Sequence, residues 1–119
     1  VTETPSNIRL LPNLLSISKS LRALMGLKLA ELGLHPGQDE LLLALSPNMG
    51  TGVSVLANRL GVRPSTVSKM VDLLVQAGQV ERAVNPRDAR RTVICITPSG
   101  IEMQGRIIEV WLRLESEFL

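Results

Sequence analysis

Aromatic side chains are scarce: the 119-residue chain has no tyrosine, one tryptophan and one phenylalanine. With 45% of its residues hydrophobic, the core must be aliphatic and chiefly leucine, a composition that suits packed helices. Cys95 is the only cysteine, which excludes an intrachain disulfide framework and fits a reducing cytoplasm. It alternates with Ile94 and Ile96 and reads as an ordinary strand residue. The one histidine, His35, precedes Pro36 at a helix start, the setting of a surface or cap residue. So thin an inventory leaves no Cys–His or Ser–His–Asp set. No Gly-rich phosphate loop and no metal-ligand spacing appears either, so neither enzymatic activity nor a metal or cofactor is expected. No apolar run has the length of a membrane span, and no charged-then-apolar leader opens the sequence. The expected setting is cytoplasmic, with no membrane partner.

What is present is unevenly placed. The length fits one domain, and its leucines exceed what one small core can bury, which suggests a partner chain. Net charge is only +2, yet residues 53–97 hold seven Lys/Arg against three Asp/Glu, while the remainder holds six against eight. The basic segment favours an anionic partner there.

That segment reads as two helices followed by two strands. Leu56 and Leu60 stand four apart on a short amphipathic helix that Gly61 ends. Pro64 opens a second helix, running to Ala77, with Val67, Met70, Val71 and Leu74 at i, i+3, i+4 and i+7. Its opposite face begins with Ser65, Thr66, Ser68 and Lys69, short hydroxyls and a cation near a helix N-terminus. Such an end can meet base edges and phosphates in a major groove. Gly78 stops the helix. Gln79–Val84 and Thr92–Ile96 then read as short strands joined by a polar loop, Asn85–Arg91, which carries Arg87, Arg90, Arg91 and Asp88. Two strands around a basic tip, after such a helix, predict a winged helix–turn–helix whose tip meets the backbone or the minor groove.

The flanks are helical. Leu10–Leu32 predicts a long helix, with Pro12 near its start and leucines on more sides than one core face needs. Pro36 is expected in the first turn of a helix reaching about Leu45, with Leu41, Leu42 and Leu45 inward and Asp39 and Glu40 favourably in the first turn. Ser46–Gly52 is turn-rich. Thr97-Pro98 reads as a cap and first-turn proline for a last helix, which carries Ile101, Ile108, Trp111, Leu112, Phe118 and Leu119 on more than one side.

Leu56 to Leu74, then Ala77-Gly78-Gln79-Val80-Glu81-Arg82, the Asp-x-Arg of Asp88 and Arg90, and Ile96-Thr97-Pro98-Ser99-Gly100 together resemble the MarR family of transcriptional regulators. The likeness runs from about Leu11 to the end. Two positions depart from the family pattern: Arg63 replaces the usual serine before Pro64, and His35 the usual threonine before Pro36. An arginine cannot accept the first N–H groups of the helix. The resemblance implies a mainly α fold with a small β-wing, a winged helix–turn–helix with N- and C-terminal dimerisation helices. The corresponding segments are 1–35 and 98–119 for dimerisation and 36–97 for DNA binding, within one structural domain. It also implies a very short strand in the Ser46–Gly52 connection that extends the wing sheet. The DNA-contacting set it implies is Arg63, Ser65, Thr66, Ser68 and Lys69 from the recognition helix and Arg87, Asp88, Arg90 and Arg91 from the wing. Arg90 would enter the minor groove, with Asp88 orienting an arginine. The implied partners are double-stranded DNA with a palindromic operator, a second copy of the chain and a small-molecule effector near the junction of the dimer helices and the DNA-binding lobe. Repression is the implied mode. In the family the last helix continues and another follows, so the dimerisation element here looks curtailed. A competing class is a winged-helix module that binds protein, which would need an exposed apolar face on the second helix or a wing without positive charge.

Overall fold

The structure, a computed structural model, describes residues 5–118. Leu119 and the side chain of Phe118, both expected on the apolar surface of the last helix, lie outside the described residues. The chain begins with α1, Leu10–Glu31. Pro12 is tolerated there because it occupies the first turn, where N–H groups have no intrahelical partner. Only Leu29 of this helix is buried; Leu11, Leu14, Leu15 and Ile17, on different sides of its N-terminal half, are all exposed. The helix closes where the Leu34 N–H returns to the Leu29 carbonyl at 2.9 Å, and Leu34 drops into the core.

The second helix, α2, is shorter than its sequence suggests, Gln38–Leu43. Pro36 lies in the turn before it and not in its first turn, because Gly37 takes a left-handed φ of +95° that no helix interior accepts. Local side chains satisfy that turn. The Gln38 Oε1 accepts the His35 N–H at 2.8 Å, and the Asp39 Oδ1 accepts the Gly37 N–H at 3.2 Å. Leu41, Leu42 and Leu45 face inward as expected, and Asp39 and Glu40 occupy the first turn.

A two-residue strand, β1 (Thr51–Gly52), leads straight into α3 (Val53–Leu60), and α4 follows as Pro64–Gln76. β2 (Val80–Asn85) and β3 (Asp88–Ile96) complete an antiparallel sheet in the order β1-β3-β2. The last helix, α5, is Pro98–Phe118. Leu29 of α1, Leu41 and Leu42 of α2, Leu56 of α3, Val67, Val71 and Leu74 of α4, Ile94 of β3 and Ile107 of α5 close one aliphatic core. Each such side chain contributes about 1.5–3 kcal/mol on burial. On α5 the inward positions are Ile107 and Leu114, whereas Ile101, Ile108 and Leu112 lie on the exposed side.

The wing differs from the long loop that its polarity suggests. Pairing resumes at once: Asn85 stands opposite Asp88, so only Pro86 and Arg87 form the turn. Asn85 makes this possible, since its Oδ1 accepts the Arg87 N–H at 2.9 Å while Pro86 supplies a preset φ. The next pair is Val84 with Thr92, so β3 advances four residues while β2 advances one. Ala89, Arg90 and Arg91 are the surplus, carried as a bulge within β3.

Candidate nucleic-acid interface

α3 ends on Gly61, left-handed at φ +67°, and the Val62 N–H returns to the Ala57 carbonyl at 3.1 Å. Arg63 then runs extended as the N-cap of α4, and Pro64 fills the first helical position. As expected of an arginine there, its side chain makes no cap bond. Its carbonyl takes the N–H groups of Thr66 and Val67 at 3.0 and 3.2 Å. No acidic residue stands in the first turn of α4, so the positive end of the helix dipole is left uncompensated at an exposed site. Arg63, Ser65, Thr66 and Lys69 are all exposed around that end, opposite buried Val67, Val71 and Leu74. Ser68 stands apart from them. It is half-buried at the flank of the helix, and its carbonyl faces the Arg82 Nη2 at 3.4 Å. Leu73 and Val75, the exposed apolar residues of α4, lie on its C-terminal half, away from the Ser65–Lys69 end.

Arg82 and Asp72 enter the sequence reading only as parts of the family pattern, with no role of their own, yet they join α4 to the wing. The Arg82 Nη2, on β2, lies 2.6 Å from the Asp72 Oδ1 on α4. Both are partly exposed, so the pair adds little stability, but it fixes the wing strand to the outer face of the helix. Only the spacing of Asp72 from the wing could have hinted at this, and spacing alone does not show which strand residue points back.

At the wing, Asp88 serves two arginines. Its Oδ1 accepts the Arg90 backbone N–H at 3.1 Å and stands 3.5 Å from the Arg90 Nε, and its Oδ2 stands 3.6 Å from the Arg91 Nε. The backbone bond shapes the bulge. The guanidinium contacts are long and solvated, so the charge of both arginines stays available. The Arg90 side chain is 92% exposed, and Arg87 and Arg91 are exposed beside it.

A second feature lies at the other side of the core. An open groove of about 610 Å³ runs between α1, α2 and α5. Leu21, Met25 and Leu29 supply its α1 wall, with Arg22 beside them, and Asp39, Glu40 and Trp111 line the rest. Asp39 is 4% exposed, and its Oδ2 accepts the Trp111 Nε1–H at 3.2 Å. Further along α5, the Gln104 Nε2 donates to the carbonyls of Leu42 and Leu45 at 2.6 and 3.0 Å. α5 thus grips α2 at both ends.

The sequence pattern that defines the MarR family matches residues 32–91, which include α2, the helix–turn–helix and the wing tip. The chain belongs to the MarR family. The chain is also similar to a putative transcriptional regulatory protein for the hcr operon of Thauera aromatica, 31% identical over 86 residues. That alignment covers 72% of this chain and 52% of the relative, so the chain spans about half the length of that protein. Two solved structures share the fold. The transcriptional regulator BldR from Sulfolobus solfataricus superimposes with a TM-score of 0.82 at 26% identity, over 100% of this chain and 86% of that one. MarR superimposes with a TM-score of 0.79 at 29% identity, over 98% of this chain and 80% of that one. The mainly α fold with a three-stranded wing sheet is thus the MarR-family fold, with β1 as the short strand that extends the wing.

Proposed function

We propose that this protein is a transcription regulator that binds duplex DNA as a homodimer on a palindromic operator and acts as a repressor. The observation that supports this most is the Arg82–Asp72 contact, which ties the strand leading to three exposed wing arginines to α4, the helix whose first turn carries no acidic residue. α4 enters the major groove through Ser65, Thr66 and Lys69, with Ser68 at its edge and Arg63 on the backbone. Arg90 reaches the minor groove beside the wing, and Arg87 and Arg91 meet phosphates. Residues 36–97 form the DNA-binding lobe, and the segments 1–35 and 98–119 pair with those of a second copy. A small-molecule effector binds the groove between α1, α2 and α5 and releases the DNA. The work is done in the cytoplasm. Among the described residues no helix is long and apolar enough to cross a membrane.

Selection of bound duplexes from a random pool, followed by titration of the winner against a scrambled duplex at two salt concentrations, tests this reading. An inverted repeat bound more tightly than the scrambled duplex, with affinity falling as salt rises, is the expected result. Equal binding of both duplexes would reduce the protein to a nonspecific DNA binder. No binding of either would return it to the protein-binding class.

A further inference from the structure

The groove has an unusual charge arrangement for an apolar cleft. Asp39 is almost wholly buried, yet no cation lies within 4 Å of its carboxylate among the described residues; two neutral N–H groups, from Gly37 and Trp111, are its partners. Burying a carboxylate without a counter-charge is costly, and a cation brought beside it gains more than the same pair would in water. Glu40 adds a second carboxylate to the lining. The only opposing charge is Arg22 on α1, which is exposed and pairs with neither carboxylate. Trp111 presents an indole whose N–H is tied to Asp39, so its ring is held next to the carboxylate. A cation placed there meets a negative charge beside an aromatic side chain. Beyond this polar corner the wall is aliphatic, from Leu21, Met25 and Leu29. The groove volume of about 610 Å³ falls within the range that holds small organic ligands.

We propose that the groove selects an organic cation, with its ammonium group seated against the Asp39 and Glu40 carboxylates, beside Trp111, and its apolar body along α1. This rests on the reading of the groove as an effector site and names the chemical class that the site takes. Anionic aromatics are disfavoured because Arg22, the one group that would receive them, sits in solvent while two carboxylates face the same space.

The sole tryptophan of the chain is Trp111, so its fluorescence reports on this corner alone. Three probes of similar size separate the classes: benzyltrimethylammonium, benzyl alcohol and benzoate. The cation is expected to perturb the emission with an affinity about tenfold above either of the other two. Asp39→Asn keeps an oxygen for the indole N–H while removing the charge; it should abolish that advantage and leave benzyl alcohol binding unchanged. Should Asp39→Asn fail to fold by circular dichroism, Glu40→Gln, at an exposed position, should still weaken the cation several-fold and spare the alcohol. Benzoate or benzyl alcohol binding as tightly as the cation would overturn the class while leaving the groove as a ligand site. Cation binding unchanged in the folded variants would do the same. Silence of Trp111 toward all three would overturn both the class and the effector groove, without touching the DNA-binding reading.

Discussion

Arg90 and Arg91 are adjacent in sequence and share one carboxylate, yet they should behave differently on DNA. Arg90 has its backbone fixed by Asp88 at the bulge, so its side chain projects from a defined point near the tip. Arg91 comes last in the bulge, where the Val84–Thr92 pairing resumes. Arg90→Ala is expected to cost more on an operator with A·T pairs under the wing than on one with G·C pairs, because the narrower groove attracts a guanidinium. Arg91→Ala should weaken specific and random duplexes alike and make the salt dependence shallower by about one unit of slope. Fluorescence anisotropy on both duplexes at two salt concentrations distinguishes the two; equal losses on both duplexes for Arg90→Ala would make the wing a backbone clamp. In the recognition helix, Thr66→Ala should change the preferred sequence at a cost of about 1–3 kcal/mol. Ser68→Ala should do less, since Ser68 sits half-buried at the flank. Periodicity alone placed all four polar residues opposite the Val67–Leu74 stripe. It could not show that β2 and Arg82 would close over one edge of that face.

Among the elements, boundaries marked by a repeating stripe and by glycine or proline were legible, and those set by local backbone geometry were not. Thirteen residues of α4 give its stripe time to repeat, and Pro64 and Gly78 mark its ends. α2 has six residues, and its boundary is set by the backbone of Gly37 and by hydrogen bonds from Gln38 and Asp39, which leave no periodic trace. The early pairing of the wing is hidden for a related reason: polarity marks exposure, and an exposed polar segment can pair at a sheet edge as well as form a loop. Contacts between distant elements were invisible too. Gln104, polar and unremarkable in sequence, caps the C-terminal end of α2 from across the core. Gln104→Ala is expected to leave the Leu45 carbonyl without its partner, while the Leu42 carbonyl keeps the Leu45 N–H, and to cost about 1–3 kcal/mol, seen as a lowered Tm. Gly100, by contrast, sits where the start of α5 meets the ends of β2 and β3: a Cβ there would run into the Gln79 carbonyl oxygen and crowd Ile96. Gly100→Ala should therefore destabilise by about 1–3 kcal/mol through overpacking, again read by thermal melting.

At the scale of the molecule, the radius of gyration is 17.6 Å, against about 14 Å for a compact domain of this length. The excess follows from α1, whose Leu10 is 74% exposed, and from the outer face of α5, where Leu112 is 60% exposed. So much apolar surface on two helices calls for a second copy, and sedimentation at micromolar concentration is expected to show a dimer; a stable monomer would count against it. Leu11→Lys combined with Leu15→Lys should shift that equilibrium toward monomer while leaving the helix–turn–helix folded, since neither residue reaches the core. The single hydroxyl of Thr97 gives this arrangement a mechanical consequence. It donates to the Gly78 carbonyl at the end of α4 and accepts the Gly100 N–H at the start of α5, at 2.6 and 3.1 Å. Thr97 is thus the fulcrum of a lever whose long arm is α5, about 32 Å of helix at 1.5 Å per residue. A displacement of about 3 Å at the far end of such an arm needs a tilt of only about 5° at the fulcrum. Whatever tilts the distal end of α5 therefore carries α2 with it, through Gln104 and Trp111, and reaches the end of α4 through the one hydroxyl of Thr97.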